Sequence, residues 1–288
     1  MLGFSLSRID NLSGRPIKHV SFGPEGEKTY KILMNSPSTE TVEKPIYTEQ
    51  ELALVDLNHV PNHIIIIMDG NRRWAKAKGL PTEMGYWQGA EQLDVIVRAA
   101  VELRVAALTV YSFSTENWNR PKHEIETIMH LLEAYLNDKR EELVEKGVRL
   151  NTIGDTGRLP NPVKKALAET LRATRNGDRI DLILALNYGG RDEIRRAFVK
   201  MSRAEKKGKL DWNEVTEQTI SSYLDTASWK DPDLFIRPSG EHRVSNFLIW
   251  QISYSEIYVV DVLWPDFSPK NLLEAVIDYQ RRHRRYGG

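Results

Sequence analysis

His63-Ile64-Ile65-Ile66-Ile67-Met68-Asp69-Gly70-Asn71-Arg72-Arg73-Trp74-Ala75-Lys76 decides how this chain is read. Four consecutive isoleucines and Met68 put apolar side chains on both faces, the pattern of a central parallel strand covered on each side. The run stops at Asp69-Gly70-Asn71, a turn in which Gly70 can take backbone angles closed to residues with a Cβ. A helix follows, with Trp74, Ala75 and Ala77 apolar and Arg72, Arg73 and Lys76 cationic. A carboxylate, a glycine turn and clustered cations thus meet where a strand ends and a helix N-terminus exposes free N–H groups. That combination suits a phosphate and leaves a place for a metal ion.

The same unit recurs downstream. Helical spacing runs from Gln88 to Leu103, a strand from Ala106 to Phe113, and a polar loop from Ser114 to Pro121. One long helix is expected from Pro121 to Lys146, where Gly147 stops it. Its stripe of Ile125, Ile128, Leu131, Leu132, Tyr135 and Leu136 suits core packing, and the same residue types would line a channel for an apolar ligand. Strands Val148–Ile153 and Ile180–Leu186 end in Gly154-Asp155-Thr156-Gly157-Arg158 and Asn187-Tyr188-Gly189-Gly190-Arg191, and helices Pro162–Arg175 and Asp192–Ala204 follow them. Glu205–Ser228 is polar and helix-prone. A fifth strand covers Asp233–Ile236, and after Glu256 a last strand and turn run from Val259 to Phe267. A final helix ends in a basic tail. Strand, glycine-rich polar loop and helix in repetition predict an α/β fold: a mostly parallel central sheet flanked by helices on both faces, with ligands outside the carboxyl ends of the strands.

Residues 1–57 lack a sustained period apart from short candidates such as Tyr30–Met34, and read as a partly disordered N-terminal extension that packs a short helix near Glu49–Leu57; residues 58–288 read as one catalytic domain. His59 and His63 flank Pro61 and are read as a loop before the strand rather than a metal pair. Forty basic and forty acidic residues cancel, so the charge gives no reason to expect nucleic acid. Hydrophobic residues make up 41% of the chain and there is no cysteine, which excludes disulfides, thiolate metal sites and a cysteine nucleophile. No signal peptide and no apolar run of roughly 18 residues is present, so a cytoplasmic protein is expected, with transient membrane contact left open.

The fifth strand leads into Arg237-Pro238-Ser239-Gly240-Glu241-His242-Arg243-Val244-Ser245-Asn246. Its arginines can grip phosphate oxygens in paired geometry, with Ser239, Ser245 and backbone N–H groups filling the remaining positions. Two anion sites therefore lie along one sheet edge. P-loop, dinucleotide, zincin and nucleophile-elbow patterns are missing, as is an Asp-Asp-x-x-Asp cluster. The residues by themselves reach a magnesium-assisted transfer on phosphorylated substrates.

Met68–Ala75, Tyr111–Pro121, Asn187–Arg191 and Arg237–Asn246 resemble, in order, the motifs of the cis-prenyltransferases, the undecaprenyl diphosphate synthase family. The resemblance implies a homodimer with an apolar tunnel, and substrates that are an allylic diphosphate and isopentenyl diphosphate, with Mg²⁺ as cofactor. Carried over position by position, Asp69 would hold Mg²⁺ with help from Glu256. Gly70, Asn71, Arg73 and Trp74 would cradle the allylic diphosphate. Ser114, Arg237, Ser239, Arg243 and Ser245 would serve the isopentenyl partner. Asn117 and Arg120 would orient the reacting ends and assist proton loss. The product implied is a (Z)-polyprenyl diphosphate.

The chain departs from the family pattern in places. Thr82 and Tyr86 stand where an arginine and a histidine are usual, Pro238 replaces a common threonine, and Arg72 stands where many members have glycine and is expected to supply the missing charge. Leu186 and Ser112 suggest a narrower tunnel and a short product. The same changes fit a sister group that couples two dimethylallyl diphosphates irregularly, as lavandulyl-type and cyclising lavandulyl-type synthases do. A non-catalytic partner subunit is a further alternative, against which the retained Asp69, Asn117, Arg237, Arg243 and Glu256 speak.

Overall fold

In the computed structural model, which describes residues 44–282, the repeating unit is realised with its strands close to their expected places. The elements are α1 (Glu49–Leu52), β1 (His63–Ile67), α2 (Asn71–Ala77), α3 (Thr82–Glu102), β2 (Ala107–Ser114), α4 (Lys122–Asp138), α5 (Arg140–Glu145), β3 (Val148–Ile153), α6 (Asn161–Ala173), β4 (Ile180–Tyr188), α7 (Gly190–Glu205), α8 (Glu217–Tyr223), β5 (Leu234–Pro238), β6 (Glu256–Val260) and α9 (Pro269–Arg281). The strands form one sheet in the order β3-β4-β2-β1-β5-β6, and every pairing is parallel.

β1 is hydrogen-bonded on both sides, and its isoleucines are 0–7% exposed. Because strand side chains alternate, Ile64 and Ile66 enter a large core with residues of α3, α4, α6 and α9. Ile65 and Ile67 enter a smaller one built around Phe235, Phe247 and Leu248. That second face is therefore closed largely by the irregular segment after β5, which α7 joins through Glu193: Gln251 and Tyr188 both donate to its carboxylate.

Several element boundaries differ from the sequence reading, each for a local reason. α3 begins at Thr82 rather than Gln88: Gly85, a poor helix former, is what lets the first turns of α3 lie against α2. A Cβ at Gly85 would stand 2.1 Å from the Asn71 carbonyl oxygen. The long helix expected up to Lys146 breaks at Lys139, whose side chain turns back to Asp94 on α3. Glu205–Ser228 holds only the end of α7, a short 3-10 turn at Trp212–Glu214 and α8. Residues 46–55 pack on the domain, and the short helix expected near Glu49–Leu57 is α1, ending at Leu52. Tyr47 is 3% exposed, its hydroxyl donates to the Pro269 carbonyl, and the Ile46 and Tyr47 N–H groups donate to Glu102. The Tyr30–Met34 candidate and the end of the basic tail lie outside the described residues. His63 opens β1 as a buried core histidine bonded to Thr109 and the Lys230 carbonyl.

Candidate active site

β1 and β5 are neighbours, so the loops that leave their carboxyl ends must share one corner of the sheet. Asp69 follows β1. Arg237, in β5 and 3% exposed, donates to Asp69 Oδ2 at 2.9 Å. Arg73, on the first turn of α2, approaches Asp69 Oδ1 at 3.3 Å and donates to the Ser239 carbonyl at 3.2 Å. Burial alone would raise the Asp69 carboxyl pKa. The Arg237 hydrogen bond and the charges of Arg237 and Arg73 outweigh it and hold the group below the usual carboxylate range. Gly70 makes the corner possible, with φ of 108° and the Leu263 side chain where a Cβ would be.

The loop after β5 is held in a costly shape. Ser239, Ser245 and Asn246 have φ of 83°, 47° and 60°, a region that side-chain-bearing residues seldom enter. Asn246 anchors it, donating to Glu116 at 2.9 Å and accepting from the Arg191 N–H at 2.9 Å. Arg237 braces it from below through Ser245 Oγ at 2.9 Å and the Arg243 carbonyl. Arg243 itself is exposed and paired with Glu241, which Arg73 also approaches.

Three buried polar atoms in this corner have no hydrogen-bond partner: Arg237 Nε, Ser239 Oγ and Asn71 Oδ1. Such groups cost roughly 1–3 kcal/mol each when left unmet; Arg237 Nε and Ser239 Oγ are donors, and together with three arginines they describe a place prepared for an anion, whereas the Asn71 amide oxygen only accepts. Beneath them a cavity of about 640 Å³ opens between β2, β4, α3 and α4. Its mouth is lined by Asp69, Asn71, Asn117, Arg120, Arg237 and Ser245, its depth by Leu93, Ile128, Leu131, Leu132 and Leu184. Ser112 and Leu186 also line it.

Ser114 and Asn117 hold one another in a reciprocal cap of the 3-10 turn Thr115–Asn119, with the Ser114 N–H donating to Asn117 Oδ1 at 3.1 Å. Arg120 closes the turn and donates to the Tyr86 hydroxyl at 2.6 Å and to Glu124 Oε1 at 2.8 Å. Tyr86 in turn donates to Glu124 at 2.5 Å. Burial, then the Glu124 hydrogen bond, push the Tyr86 phenol well above its ordinary pKa, so it stays protonated. Arg72, largely exposed, comes to 4.0 Å of Glu124. The charge expected of Arg72 is therefore directed at this cluster.

Two predicted residues are not brought in. Trp74 turns away, its indole donating to Asp266 at 2.8 Å with Lys78 over the ring. Glu256 opens β6 opposite Leu234 and hence beside Ile64, at the amino edge of the sheet. Five strand residues, roughly 16 Å, separate that level from Asp69. There Glu256 accepts from Arg282 at 2.8 Å, so it cannot share an ion with Asp69 of its own chain. Tyr86 was noted only as standing where a histidine is usual and Asn246 only as the end of the loop after β5; Glu116 and Glu124 were given no role, and an acid four residues after Arg120, at helical spacing from Ile128, was the available signal for Glu124.

The resemblance implies Mg²⁺, and the donor set fits it. This ion is commonly bound by one or two carboxylates together with substrate phosphates and water. Asp69 offers one carboxylate at the anion corner, and among the described residues no group of three or more acidic or histidine side chains competes for the ion.

A family model described as "Putative undecaprenyl diphosphate synthase" matches residues 67–287. The isoprenyl transferase of Clostridium tetani is 48% identical over 234 residues, 81% of this chain and 92% of that protein. The ditrans,polycis-undecaprenyl-diphosphate synthase ((2E,6E)-farnesyl-diphosphate specific) of Micrococcus luteus is 46% identical over 81% of this chain and 94% of its own length. Lavandulyl diphosphate synthase from Lavandula x intermedia, solved in complex with dimethylallyl diphosphate, superposes with a TM-score of 0.78 at 35% identity, covering 80% of this chain and 99% of that one.

Proposed function

The chain belongs to the undecaprenyl diphosphate synthase family of cis-prenyltransferases, and from that premise we propose that it condenses an allylic diphosphate with isopentenyl diphosphate to a (Z)-polyprenyl diphosphate. One observation carries the reading: buried, unmet polar atoms and arginines crown a cavity whose walls are apolar. Only an amphiphile with an anionic head and a hydrocarbon tail suits both halves.

Asp69 would hold Mg²⁺ against a substrate diphosphate, where the ion supplies charge neutralisation and makes diphosphate a better leaving group. Arg73 and Asn71 would bind the allylic diphosphate; Arg237 and Ser239, given to the isopentenyl partner by the resemblance, are moved to the same site in this reading because Arg237 donates to Asp69, and Arg73 and Arg237 would stabilise the charge that grows as the allylic C–O bond breaks. Arg243 and Ser245 would hold isopentenyl diphosphate. Its terminal alkene carbon bonds to the allylic carbon while diphosphate departs with the electron pair, which leaves a tertiary cation at the internal alkene carbon. A proton of the adjacent CH2, on the side of the isopentenyl diphosphate group, then passes to a diphosphate oxygen and restores a double bond, with Asn117 and Arg120 orienting the reacting ends. Tyr86 and Glu124 fix Arg120 for that step. A cavity of about 640 Å³ is the size that encloses a drug-sized ligand, which supports a short product; the undecaprenyl relative points to a longer one, and product mass decides. A homodimer is part of the same reading and is checked by light scattering.

Purified protein with Mg²⁺ should give products growing in C5 steps only when isopentenyl diphosphate accompanies an allylic diphosphate. A branched or cyclic C10 product from dimethylallyl diphosphate alone would instead establish the irregular coupling that the lavandulyl-type neighbour performs. Absence of product in every combination would contradict both.

A further inference from the structure

The chain that leaves β6 belongs to neither anion loop, yet its main chain is bonded to both. The Val260 and Val262 carbonyls accept from the Gly240 and Ser239 N–H groups at 3.0 and 2.8 Å, and the Trp264 N–H donates to the Asp69 carbonyl at 2.9 Å. Between these bonds the Leu263 side chain fills the place where a Cβ on Gly70 would stand. The Asp69 N–H donates in turn to the Ile67 carbonyl at 2.8 Å, so its main chain is fastened at both ends. Its carboxylate is held separately, by Arg237 and Arg73.

The same turn grips α3. Trp264, 0% exposed, donates its indole N–H to the Gly89 carbonyl in the interior of that helix at 2.8 Å, and Gln92 donates to the Phe267 carbonyl at 2.8 Å. The contact is close enough to require a glycine, because a Cβ at Gly89 would stand 3.0 Å from Trp264 Cδ1 and 2.5 Å from Asn71 Oδ1. The Phe267 ring stacks on the indole with centroids 5.8 Å apart, and Pro265 fixes the backbone between the two rings. A buried ring that is both stacked and hydrogen-bonded is held in a single rotamer. Trp264 also lines the cavity, together with Asp69 and Asn71.

We propose that Trp264 is a positioning residue for the metal: its indole, anchored on α3, fixes the turn whose main chain carries Asp69, and so sets where the Asp69 carboxylate is offered to Mg²⁺. Trp264 supplies no ligand of its own. Mg²⁺ demands near-ideal octahedral geometry, so a small drift of its carboxylate weakens binding. Without the indole donor the turn loses its grip on α3, and Asp69 drifts with it. The proposal rests on the reading of Asp69 as the carboxylate that holds Mg²⁺.

Calorimetric titration of the full chain with n-decyl diphosphate, a saturated probe that forms no allylic cation, tests it without turnover when run in Mg²⁺ and again in chelator. In the wild type Mg²⁺ tightens binding. Trp264→Phe keeps a ring and the main-chain N–H but lacks the indole donor; its gain from Mg²⁺ should shrink about tenfold, while its affinity in chelator stays within about twofold of wild type. Gln92→Met loses only the second tie to α3, and its gain should shrink about threefold. A gain equal to that of wild type in Trp264→Phe, or in Gln92→Met should the first variant not fold, overturns the proposal. So does a loss of the same size with and without Mg²⁺, the result a merely structural role would give. If Mg²⁺ leaves the wild-type affinity unchanged, the assignment of the metal to Asp69 falls and the role of Trp264 with it. If the Mg²⁺ gain shrinks as described while product assays fail, the reaction assigned above falls and the role of Trp264 stands.

Discussion

The two edges of the sheet carry similar side chains and treat them differently. At the amino edge Asp181 accepts from Arg149, Asn151 and Trp229, and Glu256 accepts from Arg282. At the carboxyl edge Arg237 reaches Asp69, Ser245 and the Arg243 carbonyl, yet its Nε stays unmet, as do Ser239 Oγ and Asn71 Oδ1. The first arrangement is closed on itself and holds strands together. The second has donors and acceptors to spare beside an apolar cavity, and that surplus marks the edge where a ligand is bound.

The largest effect that would sharpen this contrast is expected from Asp69→Ala. It removes the carboxylate that compensates Arg237, so turnover should fall about a thousandfold and unfolding free energy by about 3 kcal/mol. Steady-state kinetics and denaturant titration read the two losses. Tyr86→Phe comes next. Without the hydroxyl, Arg120 keeps Glu124 but loses its second partner, and kcat should drop about tenfold with the melting temperature nearly unchanged. At the other edge, Arg149→Ala should cost about 1 kcal/mol or less, because the arginine is half exposed, and should leave kcat and KM as they were. A collapse of activity in that variant would break the distinction between the edges.

The smallest effect is a pH dependence. The folded-state pKa of Asp69 lies below its unfolded value, so its contribution to stability is complete above the unfolded pKa of about 3.9 and is lost as pH falls through the folded value. The stability advantage of wild type over Asp69→Asn should therefore be constant from neutral pH to mildly acidic pH and shrink below it. An advantage that grows on acidification would show that Asp69 is not held by Arg237 and Arg73 as described.

Much of this was legible in the sequence, and what was not has a physical cause. The Ile64–Ile67 run announced a doubly covered strand because it lacks the alternation of a half-exposed one. The anion loops after β1 and β5 were visible because their glycine, arginines and serines are local. Their contact, Asp69 to Arg237, needed the strand order. The first turns of α3 were not expected, since Gly85 weakens a helix in isolation, although close approach to Asn71 requires it. Glu256 was placed by motif beside the metal, and only the parallel register of β5 and β6 shows it at the far edge. Contacts such as Tyr86 with Glu124 and Asp94 with Lys139 join residues far apart in sequence, and neither Tyr86 nor Asp94 names its partner from its neighbours alone.

The most direct measurement is a crystal structure of the protein with a bound allylic diphosphate. The diphosphate should lie against Asp69, Arg73 and Arg237, with Arg237 Nε and Ser239 Oγ turned from unmet to hydrogen-bonded, and with the hydrocarbon running between α3 and α4. A diphosphate seated elsewhere, with those atoms still unmet and the cavity empty, would contradict the account.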